Sequence, residues 1–171
     1  MFEMLAKLLK ALNSESNPTQ ISLAFSLGMI VGFTPFMSMH NLLVLLLACI
    51  LRINFSGFIL AVTVFAGIAY ALDPLFIQIG ESLLASESLQ PFWTLLYQSD
   101  VWRVSHFNNT LTLGSLVVSL VLFIPGVFVF RVLIVKYREH ILSWIKKLKL
   151  VQVFQGNKLY KAYQKISGGE V

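Results

Sequence analysis

The polar residues best placed for chemistry lie inside an otherwise uncharged stretch of the chain. His40 and Asn41 fall within residues 21–51, which contain no acidic side chain, lysine or arginine. Polar groups at membrane depth are typical of a polar cavity or, for histidine, a proton relay. The alternative is a hydrogen-bonded pair that satisfies backbone groups freed at a helix break. Both interpretations predict an interrupted helix beside these two residues.

A second apolar stretch, residues 53–72, is bounded by the charged residues Arg52 and Asp73. On one helix these two would lie about 30 Å apart, so they cannot pair with each other. We expect Arg52 to reach lipid headgroup phosphates and Asn54 or Ser56 to cap the helix. Asp73 precedes Pro74, which predicts a helix end there, although an acid at the membrane border also suits a proton-coupled mechanism.

No catalytic, cofactor-binding or metal-binding constellation can be recognised in the sequence. Cys49 is the only cysteine, which excludes a disulfide or a cysteine-based zinc site within one chain. Its apolar surroundings predict a small buried residue. We expect His106 and His140 on opposite sides of a membrane, which argues against a histidine metal site. The expectation is a non-enzymatic protein without a cofactor or metal.

The composition indicates an integral membrane protein. Hydrophobic residues make up 57% of the 171 and charged residues 12%, whereas soluble domains are roughly 45–50% apolar and about 25% charged. The mean hydropathy is +0.77. So few charges cannot cover a soluble surface, and the apolar residues form long runs typical of spanning helices.

The uncharged stretch 21–51 is too long for one membrane crossing. As one helix it would extend about 46 Å, against a hydrocarbon core of about 30 Å. Asn17, Pro18 and Gln20 predict the helix start, as N-cap, first-turn proline and capping-box partner. We predict a break near residues 34–38, as a kink at Pro35 or a hairpin between two limbs.

Gly28 and Gly32 lie four residues apart in the first limb. This small-residue spacing lets helix backbones approach closely. Packing within the chain and a homodimer seam are the two interpretations.

The whole pattern predicts an all-α integral membrane protein. Residues 1–135 form the membrane domain, with a broken or re-entrant hairpin (21–51), two transmembrane helices (53–72 and 111–130) and an interfacial loop (73–110) whose residues 75–85 and 92–97 form short helices. An amphipathic helix precedes the hairpin over residues 2–12. Residues 136–171 form a basic amphipathic tail.

The distribution of positive charge predicts the orientation. Residues 131–171 hold nine of the chain's 13 lysines and arginines, so this end is expected in the cytoplasm of a bacterial inner membrane and the 73–110 loop in the periplasm. With both termini cytoplasmic, residues 21–51 must enter and leave on the cytoplasmic side. They do so as a re-entrant hairpin or as two thin spans.

The basic tail has two interpretations. It is an electrostatic anchor on anionic headgroups, contributing about 1 kcal/mol per basic residue near the surface, or a docking helix for a cytoplasmic partner. In either case the net charge of +5 indicates lipid contact and not nucleic-acid binding. The basic residues assigned to lipid or partner contact are Lys136, Arg138, Lys146, Lys147 and Lys149.

Residues 20–54 resemble the core of a bacterial family, domain-of-unknown-function family 2062 (DUF2062). The resemblance rests on a Gly-x-x-x-Gly-Phe-x-Pro turn at Gly28–Pro35, the His40-Asn41-Leu42-Leu43 limb and the Arg52-Ile53-Asn54 junction. Residues 10–13, 73–75, 107–110 and 158–160 resemble the small stand-alone proteobacterial branch. One departure is Asp73-Pro74, where many relatives carry Asn-Pro. The resemblance implies an inner-membrane protein in an envelope or lipid-linked setting, without implying a reaction.

Together these patterns favour a non-enzymatic inner-membrane subunit of an envelope or lipid-related assembly. Its expected partners are membrane lipids, a membrane or envelope protein and a second copy of the chain. The alternative is a small transporter or lipid scramblase in which the broken hairpin lines a polar path. The candidate path or packing residues are Gly28, Gly32, Pro35, His40, Asn41, Arg52, Asn54 and Asp73.

Overall fold

The computed structural model describes residues 17–141, and within that range the chain is helical, without a strand. The α-helices are α1 (Pro18–Phe33), α2 (Met39–Ile50), α3 (Phe55–Ala85), α4 (Gln90–Tyr97), α5 (Asp100–Val104) and α6 (Thr110–Lys136). A 3-10 turn (Glu87–Leu89) precedes α4, and a π turn (Tyr137–Ile141) follows α6. The predicted all-helical class is confirmed. The predicted 2–12 helix and most of the basic tail lie outside the described residues.

The start of α1 is determined by local hydrogen bonds. The Asn17 side chain accepts a hydrogen bond from the Thr19 amide at 3.0 Å, and the Gln20 side chain accepts one from the Asn17 amide at 3.3 Å. Pro18 stands in the first turn, where its missing N–H costs nothing. The predicted capping box is confirmed.

The predicted break is also confirmed. α1 ends at Phe33, Thr34 is extended (φ −95°, ψ 154°), and α2 begins only at Met39. Pro35 supplies the reason, because it has no amide proton to continue the helical hydrogen bonds. The break separates limbs of 16 and 12 residues.

α1, α3 and α6 pack together as a bundle, and glycines set the distance between α1 and α3. A Cβ placed on Gly28 would lie 2.6 Å from the Ala61 Cβ, and one on Gly32 would lie 2.7 Å from the Phe65 Cβ. Since the contacts follow the same order on both helices, α1 and α3 run parallel. α2 must therefore run back along the bundle to connect them. Both glycines are buried within the chain.

α6 runs antiparallel to the other two bundle helices. Near its start, Thr110 and Gly114 lie against Gly80 and Phe76 of α3, so closely that no side chain fits at either glycine. Near its end, the Phe130 ring lies 5.8 Å from the ring of Phe25 on α1. The bundle is thus closed at both ends by small residues and aromatic contacts.

The predicted helix end at Asp73-Pro74 is wrong. α3 runs without interruption through Pro74 to Ala85, so residues 75–85 are not a separate interfacial helix. An internal proline costs a hydrogen bond, but Phe76 beyond it is fully buried and Gly80 packs on α6. This tertiary packing overrides the local signal.

The end of α3 is satisfied by side chains from the next segment. The Gln90 amide donates to the Leu84 carbonyl at 2.7 Å, and the Trp93 indole donates to the Leu83 carbonyl at 3.0 Å. Phe107 is buried and its ring stacks 6.1 Å from that of Trp93. The predicted 92–97 helix forms α4, which lies against the end of α3.

Within residues 17–141, two helices are long and apolar enough to cross a membrane, Phe55–Ala85 and Thr110–Glu139, the second of which includes the start of the π turn. Only 28% and 11% of their most apolar windows are buried inside the protein. The core helix of a soluble domain would be mostly buried, whereas these helices present apolar side chains outward. Such outward apolar surfaces are suited to contact with the lipid of a membrane.

Candidate polar site at the helix break

Asn41 links the two limbs of the broken segment. Its side-chain amide donates to the Pro35 carbonyl at 3.0 Å and to the Phe36 carbonyl at 3.4 Å. Its oxygen lies 2.9 Å from the Thr34 hydroxyl, which donates either to it or to the Ile30 carbonyl at 2.8 Å. Asn41 and Thr34 are only 6% and 5% exposed. These bonds replace part of the helical hydrogen bonding lost at the break.

His40 and Asn41 are adjacent in the sequence but have different roles in the structure. Asn41 satisfies freed backbone groups, as one interpretation predicts. His40 does not share this role, because its Nε2 is buried without a hydrogen-bond partner among residues 17–141. The hydrogen bonds expected from both residues therefore come from Asn41, together with Thr34.

A cavity of about 300 Å³ lies beside the break. One wall comes from the end of α1 and the turn after it, and the other from α3, with Leu111 of α6 closing the space. Asp73 lines this cavity opposite Thr34 and Pro35. The structure thus brings together Gly32, Pro35 and Asp73, three of the candidate path or packing residues.

Two prolines leave backbone carbonyls free of their usual helical partners near the cavity. Pro35 cannot donate to the Val31 carbonyl and Pro74 cannot donate to the Tyr70 carbonyl, because proline has no N–H. Both Val31 and Tyr70 line the cavity. The sequence shows that each proline follows the affected residue by four positions. It does not show that Val31 and Tyr70 lie beside the same cavity.

Asp73 lies well inside the apolar part of the bundle. Gly80, seven residues later on α3, packs against Thr110, the first residue of α6. Seven residues of helix correspond to about 10 Å along the axis. Asp73 is therefore about 10 Å below the level at which α6 begins, and no hydrogen bond or ion pair reaches its carboxylate from residues 17–141.

The remaining candidate residues lie away from the cavity. Asn54 caps α3, since its side chain accepts from the Gly57 amide at 2.7 Å. Arg52 is exposed just before α3, ten residues ahead of Val62, the first α3 residue in the cavity lining. Lys136 is the exposed last residue of α6, and Arg138 falls in the π turn. Lys146, Lys147 and Lys149 lie outside the described residues.

The prediction that Cys49 is buried is wrong. Its side chain is exposed on α2, while the neighbouring Ala48 is only 2% exposed. α2 lies at the edge of the bundle and buries a single narrow stripe, so an apolar sequence around a residue does not imply burial when most of the helix faces outward.

The sequence comparisons place the chain among conserved bacterial proteins. A protein of Treponema pallidum (strain Nichols) called "Uncharacterized protein" is 23% identical over 141 residues, which cover 82% of this chain and 87% of that protein. No solved structure matches the chain. The family model described as "Uncharacterized protein conserved in bacteria (DUF2062)" matches residues 4–142, which include every helix described above. The chain therefore belongs to the DUF2062 family.

Proposed function

We propose that the chain is a non-enzymatic subunit of an envelope or lipid-related assembly in the bacterial inner membrane. The observation that supports this role best is the position of α2. At 12 residues it extends only about 18 Å and is too short to span a bilayer. Asn41 holds it at one end, while most of its leucines point away from the bundle. Such a helix is suited to contact a partner within the membrane.

The outward face of α2 is extensive for so short a helix. Leu42 is 66% exposed, Leu43 63% and Ile50 70%. The bundle core formed by α1, α3 and α6 does not need these side chains. An apolar surface on a rigidly attached element is available to a neighbouring protein or to lipid.

The relative directions of the helices support cytoplasmic termini and a re-entrant hairpin. Gly57 near the start of α3 lies against Phe25, and Phe130 near the end of α6 contacts the same residue. Arg52 and Arg131 therefore lie towards one end of the bundle, and Gly80 and Thr110, which pack together, lie towards the other. Under the positive-inside rule the end with the arginines is cytoplasmic. Residues 21–51 then enter and leave on that side.

Reporter fusions after residues 15, 52, 90 and 165 test this orientation. We expect cytoplasmic reporters to be active at 15, 52 and 165, and a periplasmic reporter at 90. An Arg52 junction outside the cell would contradict the hairpin topology.

The exposed Cys49 offers a direct test of the subunit role. It is the chain's only cysteine and lies on α2, so a thiol-reactive photo-crosslinker labels one position. In intact membranes we expect cross-linking to one recurrent protein, identified by mass spectrometry. The Cys49→Ser chain should give no adduct.

A matched control separates a specific contact from random collision. Gly67 of α3 faces open space, so Gly67→Cys in the Cys49→Ser background places a thiol on another outward surface. Adducts at Cys49 that do not form at position 67 would support a partner on α2. Equal adducts at both positions, or adducts with lipid alone, would contradict it.

A small transporter or lipid scramblase is the second candidate, and the cavity beside Asp73 favours it. Discontinuous helices at membrane depth often line binding sites in transporters. Flux of lipid or solute through proteoliposomes should then fall in Pro35→Ala and His40→Ala chains. Unchanged flux in both variants would exclude this candidate.

A further inference from the structure

The cavity beside the helix break carries one negative charge that no described residue compensates. Asp73 is the charged residue in its lining, which contains no lysine, arginine or histidine among residues 17–141. The carboxylate is partly buried and has no ion-pair or hydrogen-bond partner within residues 17–141. An unpaired carboxylate at membrane depth is costly, so a cation would stabilise it.

Backbone carbonyls at the end of α1 add to this negative character. The carbonyls of Val31, Gly32 and Phe33 accept no hydrogen bond from residues 17–141, because the chain turns at Thr34 and Pro35. Gly32 has no side chain, so its contribution to the cavity wall is backbone. The carboxyl end of a helix is also the negative end of its dipole. Carboxylate, free carbonyls and dipole all favour a positive ligand.

The size and aromatic lining of the cavity indicate the kind of cation. A volume of about 300 Å³ far exceeds that of a bare metal ion, since one water occupies about 30 Å³ in the liquid. Phe36 and Tyr70 also line the cavity, and aromatic rings attract organic cations. A single carboxylate balances a monovalent cation, whereas a divalent ion would leave excess charge in lipid.

We propose that this cavity binds a primary ammonium group. Its three N–H donors match the carboxylate of Asp73 and the free carbonyls at the end of α1, and the aromatic rings flank the carbon attached to it. The group belongs either to an ethanolamine lipid headgroup or to a free small amine. The inference rests on the membrane placement proposed above, and it holds whether or not α2 binds a protein.

Native mass spectrometry of the full chain in an amine-free detergent tests the proposal. We expect the protein to retain phosphatidylethanolamine in preference to phosphatidylcholine, whose headgroup is similar but has no N–H donor. The Asp73→Asn chain should lose about tenfold in retention, as expected when a hydrogen bond to a charged group is removed. Glu81→Gln is the matched control, because Glu81 is exposed on the same helix and does not line the cavity.

A second arm distinguishes the source of the ammonium. The unfolding temperature is measured in butylammonium and, as the control, in sodium at the same ionic strength. Stabilisation by butylammonium that Asp73→Asn abolishes would show that free amines bind; selective lipid retention without such stabilisation would assign the site to the lipid headgroup.

Two results would overturn the ammonium site. One is equal retention of the two lipids together with equal stabilisation by sodium and butylammonium; the other is an Asp73→Asn chain in which neither lipid retention nor butylammonium stabilisation changes. If Asp73→Asn does not fold, Tyr70→Leu replaces it, and lipid selectivity unchanged by that variant also counts against the proposal. Selective binding that depends on Asp73, without protein adducts at Cys49, would keep the site and remove the subunit role.

Discussion

The two limbs of the broken segment come from one uncharged stretch, yet they occupy opposite environments. α1 buries 11 of its 16 residues, whereas α2 buries only Asn41 and Ala48 among 12. Hydrophobicity does not account for the difference, because both limbs are strongly apolar. What distinguishes them is side-chain size. α1 carries two glycines, two serines and two leucines, whereas α2 carries five leucines and neither glycine nor serine.

This difference illustrates how helices are sorted in a membrane. Lipid tails are as apolar as leucine, so burying a leucine against protein gains little over leaving it in lipid. Small residues gain close backbone packing that lipid cannot provide. α1 therefore occupies the centre between α3 and α6, and α2 remains at the edge. Substitutions that enlarge a small residue of α1, or shorten a leucine of either helix, test whether side-chain size determines these positions.

The largest loss of stability is expected when a side chain is introduced at a glycine of α1 that packs closely on α3. In Gly32→Leu the new Cβ would meet the Phe65 Cβ at 2.7 Å and the Val62 carbonyl at 2.9 Å, and backbone atoms cannot move aside easily. We expect destabilisation by about 3 kcal/mol, or failure to fold. Unfolding by SDS in mixed micelles, followed by circular dichroism, measures it. Gly67→Leu is the control, since Gly67 has open space around it and the same change should be tolerated.

Much of this arrangement could be predicted from sequence, and the failures have a common cause. Capping residues and Pro35 determined the ends of α1 locally, so the helix start and the break were predictable. Asp73-Pro74 and Cys49 were mispredicted because their environments depend on tertiary packing: Phe76 and Gly80 hold α3 together beyond the proline. The cavity needed the parallel packing of α1 and α3, which no local pattern encodes.

Paired leucine substitutions give the next largest effect. Leu27 on α1 is 1% exposed, and Leu42 on α2 is 66% exposed. Leu27→Ala should cost about 2 kcal/mol, the low end for soluble cores, because lipid reduces the transfer contribution. Leu42→Ala should stay within about 0.5 kcal/mol. Equal losses in the same SDS titration would show that α2 is packed as tightly as α1.

Asn41 is the polar exception on α2, and its removal should cost less than Leu27→Ala. In Asn41→Ala the Pro35 carbonyl would keep, among residues 17–141, only its bond from Ser38, at 2.7 Å, and the Phe36 carbonyl would lose its side-chain donor. We expect destabilisation of about 1–2 kcal/mol and faster proteolysis near the break. His40→Ala should cost less, because His40 Nε2 has no partner among residues 17–141. The reverse order would assign the anchoring role to His40.

The smallest changes in stability are expected at two buried serines of α1, one turn apart. Substituting one of them should stabilise the protein, and substituting the other should destabilise it. Ser26 is fully buried, faces Gly126 of α6, and its hydroxyl has no partner within residues 17–141. Ser22 is equally buried, but its hydroxyl donates to the Thr19 carbonyl at 3.0 Å. Ser26→Ala should therefore stabilise the protein by up to about 1 kcal/mol, and Ser22→Ala should destabilise it by about as much. Both keep a small side chain, so the close approach of α1 and α6 is preserved. Destabilisation by both would mean that the Ser26 hydroxyl bonds across to α6, and that polar contacts as well as small size hold α1 at the centre.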